Sequence, residues 1–355
     1  SVGSSIYSRY LATHPTVEAW LQLAASPIRR VRSRIAGNAD DRPFLDTSRM
    51  FDVETAATDF LDDAEEPFFL WLHYMDTHTP YVPAPRYIRE VSDGFLGTHR
   101  MLHAHTRTGL GWEVDDRTLG ELRTLYQATT RQVDDSIGRV LDSLSANGLD
   151  DETAVVLAGD HGEEFQDHGH LAHYPKLYDE LIQVPLIVDI PGVDGGRVDG
   201  QVGLDAIPPT VTDLLGVDAP EVWQGTSLVP AAADGEAPPD EPVVSVTVRG
   251  EEVTTQPIPR SLDDGELLVS VRGRDWTYIR NTETGAEELY HRPTDPGQTT
   301  DRSVDPDDEA VAVVDRFRPI VDAHAELLQG GASGADPSPE VDDDLGARLE
   351  ALGYR

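Results

Sequence analysis

The segment TAVVLAGDHGEEFQDHGHLAHYPKLY, residues 153–178, decides how the chain is read. Its first seven residues form an apolar run that reads as a buried strand, 153–159. The run ends in Asp160-His161-Gly162, and beyond it stand His168, His170, His173 and Lys176. Four of the twelve histidines of the chain therefore lie in one loop. In open parallel sheets, ligands bind outside the carboxyl ends of the strands. Asp160 and His161 stand at such an end. Gly162 can take unusual torsions, which would let both side chains aim at one ion. Carboxylate with imidazole suits Mn²⁺ or Zn²⁺, whereas Ca²⁺ would use Asp160 and accept fewer nitrogens. Glu163, Glu164 and Asp167 read as solvated surface, because an acidic chain supplies such residues by composition.

The flanking sequence repeats the strand–helix alternation. Residues 67–75, PFFLWLHYM, are a continuous apolar and aromatic run and read as a second buried strand. The loop after it, MDTHTPY at 75–81, would place His78 on the same sheet edge as Asp160, with Asp76 as a loop cap. Residues 184–190 read as a third strand. Helices are expected at 52–64, 115–147, 176–182 and 204–216. The longest has Leu119, Leu122, Leu125, Val133, Ile137, Val140 and Leu144 at helical spacing and Gly148 as its stop. Helical pieces broken near Pro15 are expected at 5–25, and a surface connection at 26–50. This alternation predicts an α/β fold with a mostly parallel sheet flanked by helices.

After about residue 218 the pattern changes. Residues 230–242 are rich in Ala, Pro and acids and read as a linker or surface loop. Short β-rich runs at 243–248, 267–273, 275–281 and 287–291, followed by a helix at 308–328, predict a small antiparallel sheet covered on one face. The expected organisation is an α/β domain over 1–229, the linker, a small C-terminal α+β subdomain over 243–329, and a mobile tail over 330–355.

Composition narrows the function. The 355 residues carry 65 acids against 28 basic residues, a net charge of −37, and Lys176 is the only lysine. Self-repulsion of this size is relieved by concentrated salt, so the composition is of the halophilic, haloarchaeal type. No basic stripe exists to bind nucleic acid. The one local exception, Arg29, Arg30, Arg32 and Arg34, reads as a solvated helix or linker. The absence of cysteine excludes disulfides, thiolate metal sites and a cysteine nucleophile. No apolar run is long enough to span a membrane, and no signal peptide is visible, so a cytoplasmic location is expected.

Taken in order, FLWLHYMDTHTPY, VVLAGDHGEEFQDHG, KLYDELIQVPLIV with Pro191-Gly192, LDAIPPTVTDLLG, WQGTSL, WTYIRN and ELYHRPTDPGQ resemble the sulfatase family of the alkaline-phosphatase-like superfamily. The resemblance runs from about residue 52 to 303. It implies an alkaline-phosphatase-like fold with a small C-terminal antiparallel subdomain. It implies Asp160 and His161 as ligands of a divalent metal ion, Ca²⁺ first, with Mn²⁺ or Zn²⁺ as alternatives. It implies that His78 contacts the sulfate or phosphate group. It also implies that His173 faces the leaving group of the ester, with Lys176 as its competitor for that role. The implied substrate is a small-molecule or glycan sulfate or phosphate ester. Members of the family open with a strand ending in paired aspartates, followed by a nucleophile in a motif with a downstream proline and arginine. Here Asp40-Asp41 follow no apolar run, and Ser26-Pro27 puts the proline one place early. The expectation is that the opening part of the ancestral domain is missing and the metal site half-built. The resemblance therefore implies hydrolysis of sulfate esters. The alternatives are a phosphodiesterase or phosphoglycerol transferase on the same fold, or a non-catalytic relative.

Overall fold

A computed structural model describes residues 50–93, 114–173, 175–233, 235–249 and 266–331, together with Pro43, Arg100, His103 and Ala104. The expectations for residues 5–42 and 44–49, including Ser26, the arginine cluster and Asp40-Asp41, and for the tail beyond 331, fall outside the described residues. The chain divides into two units, one holding the described residues up to Asp150 and the other those from Asp151 onward.

The first unit is helical. It contains α1 (Met50–Asp62), α2 (Pro85–Val91) and the 31-residue α3 (Asp116–Ala146). The Asp115 side chain accepts the Thr118 amide at 2.8 Å and starts α3 as an N-cap. Leu122, Leu125, Ala128, Val140 and Leu144 are buried along one stripe of α3, and Met50, Ala57 and Leu61 are buried on α1. Charged groups fix how α1 lies on α3. Arg139 donates to both Glu54 oxygens at 2.8 and 2.7 Å, and Ser136 Oγ donates to Glu54 Oε2 at 2.6 Å. Burial pushes the Glu54 carboxyl up, but these donors outweigh it and hold it below its ordinary value. The segment before α2 is tied down through the Ala84 amide, which donates to Gln132 Oε1 at 2.7 Å.

Residues 67–75 are not the buried strand that their composition suggests. They run without a ladder partner among the described residues, and Phe69 and Trp71 are 71 % and 79 % exposed. A strand of a parallel sheet needs hydrogen-bonded neighbours, and apolar composition alone does not provide them.

The second unit opens with β1 (Val155–Ala158), then the two-residue strands β2 (Glu164–Phe165) and β3 (Leu171–Ala172), the single-turn α4 (Asp179–Ile182) and β4 (Leu186–Asp189). The pairing differs from the expectation. β1 and β4 run antiparallel, with Val155 opposite Asp189 and Ala158 opposite Leu186. A parallel neighbour needs a crossover of a dozen or more residues, usually a helix. The connection here holds a short hairpin, β2 against β3, and a helix of only four residues. All sheets among the described residues are antiparallel. A 3₁₀ turn at Leu204–Ala206 leads into α5 (Ile207–Leu214), and α6 (Val229–Ala233) forms a short helix at the start of the expected linker.

The C-terminal sheet matches its sequence pattern. β5 (Val243–Arg249), β6 (Glu266–Arg272), β7 (Trp276–Asn281) and β8 (Glu287–His291) form an antiparallel meander in chain order. Alternate residues of β6 serve opposite faces. Val269 and Val271 join Tyr278, Leu289, Phe317 and Val321 in the core beneath α7 (Asp308–Gly331). Leu268 packs on the other face with Ile279, Tyr290 and Leu177. This second face anchors the histidine-bearing loop.

Candidate metal centre

The loop after β1 is held from below by the C-terminal sheet. Arg272 donates through two nitrogens to the two oxygens of Asp179, each at 3.0 Å, and Arg292 adds a contact to Asp179 Oδ2 at 3.2 Å. The Asp179 amide donates to Gln298 Oε1 at 2.7 Å. Tyr178 and Tyr290 both donate to Glu288 Oε2, at 2.8 and 2.7 Å. Burial, reinforced by the neighbouring Glu288 charge, pushes both phenols up, so they remain hydroxyl donors.

Above this anchor the Asp160-His161-Gly162 turn lies directly on α4. The Gly162 amide donates to Leu181 O at 2.8 Å, and the Glu163 amide to Glu180 O at 3.1 Å. A Cβ on Gly162 would stand 1.9 Å from Glu180 O. Glycine is required here for close backbone approach; its φ does not lie in the left-handed region, contrary to the torsional role expected from sequence.

Asp160 and His161 stand side by side beyond the end of β1. Asp160 Oδ1 accepts the His161 amide at 2.9 Å, and Asp160 Oδ2 lies 3.9 Å from His161 Nε2. His161 Nδ1 lies 2.9 Å from Gly162 O. A carbonyl only accepts, so Nδ1 carries a proton, and Nε2 is the nitrogen left to ligate a cation beside Asp160. A backbone carbonyl behind a metal-binding imidazole is a common orienting arrangement. The donor set, a hard carboxylate beside a neutral imidazole, fits a divalent cation.

His173 joins this group from the far side of the β2–β3 hairpin. Its ring lies 4.7 Å from that of His161, and its Nδ1 lies 3.3 Å from Glu163 Oε2. Ligand atoms of His161, Glu163 and His173 all fall within 4.8 Å of one another. Glu163 is the residue that sequence reasoning missed. Read as solvated surface, its side chain is only 4 % exposed. One signal was available: residues two apart on an extended chain share a side, and Glu163 is two from His161. Glu164, also read as surface, is fully buried, and its Oε1 accepts the His168 and His170 amides at 2.9 and 2.8 Å. Asp167 is exposed, but its Oδ2 accepts the Phe165 amide at 3.0 Å and shapes the hairpin turn.

The remaining histidines of the loop do different work. His168 is held on both ring nitrogens, through Nδ1 by Glu180 and through Nε2 by Gln298 O at 3.0 Å, and it stacks on Tyr178 at 3.7 Å. It is a brace between loop and sheet. Lys176 donates to His168 O at 2.7 Å, with its ammonium 5.3 Å from the centre of the Tyr178 ring. His170 Nδ1 lies 3.2 Å from His168 O. His78 belongs to the other unit, where its Nδ1 lies 2.6 Å from Thr79 O in a half-buried turn.

Comparison with known proteins places the chain in a family. The chain is 29 % identical over 218 residues to a multifunctional alkaline phosphatase superfamily protein, PehA, of Trinickia caryophylli, covering 52 % of this chain and 41 % of the relative. It is 29 % identical over 238 residues to a Delta 4,5-hexuronate-2-O-sulfatase of Bacteroides thetaiotaomicron, covering 64 % and 45 %. The chain thus spans less than half the length of these curated relatives. Among solved structures, a phosphonate monoester hydrolase of Agrobacterium radiobacter superposes with a TM-score of 0.64 at 20 % identity, over 80 % of this chain and 62 % of that one, which shows the alkaline-phosphatase-like fold. The Sulfatase family model matches residues 9–217, starting well before the first motif recognised in the sequence and including both the 75–81 loop and the turn after β1. With more than half of the chain accounted for in this way, the protein belongs to the sulfatase family.

Proposed function

We propose that these residues belong to a metal-dependent hydrolase that cleaves sulfate esters, and that Asp160 and His161 hold the metal. The observation that carries the reading is Asp160 Oδ2 lying 3.9 Å from His161 Nε2 just beyond β1, in a chain that the sulfatase family model matches. A divalent cation there would supply positive charge against the non-bridging oxygens of the ester group. The protein's own groups then have separate tasks. The family resemblance assigns His78 the task of donating a hydrogen bond to the ester group. His173, oriented through Nδ1 by Glu163, gives a proton to the departing alcohol, or Lys176 balances its charge. The 2-O-sulfatase relative supports a sulfated sugar as the substrate class.

A phosphorus ester is the second reading, supported by the multifunctional alkaline phosphatase superfamily relative. The separating experiment is release of nitrophenol from nitrophenyl sulfate, nitrophenyl phosphate and a nitrophenyl phosphonate, in concentrated KCl with added Ca²⁺, Mn²⁺ or Zn²⁺. The sulfate is expected to turn over fastest. Preference for a phosphorus ester would replace the first reading by the second.

A further inference from the structure

His161 stands in two donor sets. One is Asp160 with His161, on which the proposed function rests. The other is His161, Glu163 and His173, whose ligand atoms lie within 4.8 Å of one another. We infer that this second set is a Zn²⁺ site, and that zinc bound there withdraws His161 from the ion held with Asp160.

The chemistry of the set favours zinc. Two imidazoles and one carboxylate form a borderline-soft donor trio that suits Zn²⁺ and is poor in oxygen for Ca²⁺. Ligand atoms on a tetrahedral zinc with bonds of about 2.0–2.1 Å sit roughly 3.3 Å apart. His173 Nδ1 and Glu163 Oε2 are already 3.3 Å apart. The His161 and His173 rings, 4.7 Å apart, need only side-chain rotation to close on the same ion. Burial supports the same assignment. The Glu163 side chain is 4 % exposed, and a carboxylate taken out of water is stabilised by a cation or strong donors. The Glu163 amide is fixed to Glu180 O, and Gly162 lies against the same helix, so the backbone beneath two of the three ligands is held in place. The side chain of His161 is 36 % exposed, which leaves the outer face of the site open for a water as fourth ligand.

Competition follows from the tautomer. His161 Nδ1 is turned to Gly162 O, so Nε2 is the single lone pair that this ring offers. One lone pair serves one ion. Zinc on His161, Glu163 and His173 would remove a ligand from the Asp160 ion and also occupy the imidazole proposed to protonate the leaving alcohol. The inference rests on the proposed function for this consequence, but not for the existence of the site.

The test is zinc titration of the full chain in concentrated KCl against a chromophoric chelator, with circular dichroism to establish that each variant is folded. One equivalent of Zn²⁺ is expected. Glu163→Gln, close to isosteric, and His173→Ala are each expected to weaken binding at least about tenfold. His291→Ala, whose half-buried ring bonds Thr294 Oγ1 and lies against Trp276 away from the three ligands, is expected to leave the affinity unchanged. No tight zinc equivalent, or zinc affinity indifferent to Glu163→Gln in a folded variant, would overturn the inference. The two readings fail separately. Zinc bound as expected with no ester hydrolysed would sink the proposed function alone. Ester hydrolysis that depends on His161 without the zinc equivalent would sink the second site alone.

Discussion

At the scale of single residues, the loop after β1 separates the proposed chemistry from bracing, and histidines stand in both groups. His161 and His173 face one another beside a buried glutamate. His168, five residues from either Glu163 or His173, has both nitrogens engaged and stacks on Tyr178. Replacing His168 by alanine removes two hydrogen bonds, one of them to a carboxylate, at a side chain 12 % exposed. The expected cost is roughly 2 kcal/mol, read as a lower urea midpoint for the unit that starts at Asp151. An unchanged midpoint would deny His168 its bracing role. The sequence reading singled out Asp160 and His161 because an apolar run ending in DHG is a local pattern, although β1 itself is only half-buried. Residue pattern alone did not separate His168 from His173; only the family resemblance did. That difference lies in partners distant along the chain, Gln298 among them. It discarded Glu163 and Glu164 because composition makes glutamate common in this chain, whereas burial depends on α4 and the hairpin closing over them.

At the scale of elements, the helices and the C-terminal meander were readable and the first strand's pairing was not. Residues 115–147 were expected as a helix and α3 covers Asp116–Ala146, because period, N-cap and Gly148 agree. β6 is buried on both faces, so its continuous apolar run is explained by α7 on one side and Leu177 on the other. A short apolar strand such as β1 looks the same whether its neighbour is parallel or antiparallel, and the aromatic run at 67–75 shows that composition does not guarantee a ladder. Two predictions belong here. Phe317, 1 % exposed in the core between α7 and the sheet, should cost about 3–5 kcal/mol on replacement by alanine. Leu327, 59 % exposed on the same helix, should stay within about 0.5 kcal/mol. Comparable losses at both positions would mean that α7 does not pack as described. The second concerns acid. Arg318 donates to Glu287 Oε1 and Oε2 at 2.9 and 3.0 Å and, despite partial burial, holds its carboxyl below the ordinary value. A carboxyl whose folded pKa is depressed contributes stability above its unfolded pKa and loses it as pH falls through the folded value. Stability of wild type should therefore fall more steeply than that of Glu287→Gln below the ordinary carboxylate range. Parallel acid profiles for the two proteins would refute the pairing.

At the scale of the whole molecule, charge and family set the expectations. A net charge of −37 with a single lysine sets up self-repulsion that salt is expected to screen. The melting temperature should rise as KCl is increased from dilute buffer toward molar concentration, since the Debye length falls from about 10 Å to about 3 Å between 0.1 and 1 M. A flat response would remove the halophilic reading. No described helix is long and apolar enough to cross a membrane. The family assignment rests on residues 9–217, while the chain spans only 41 % and 45 % of the two curated relatives described above, so activity is a property to be sought in the whole protein. The central claim is that a divalent ion held through His161 drives ester cleavage. The most direct measurement is turnover of a sulfate ester by wild type and by His161→Ala across a metal titration. The account predicts metal-dependent turnover in wild type and its abolition in the variant even at saturating metal; turnover retained by His161→Ala under those conditions would contradict it.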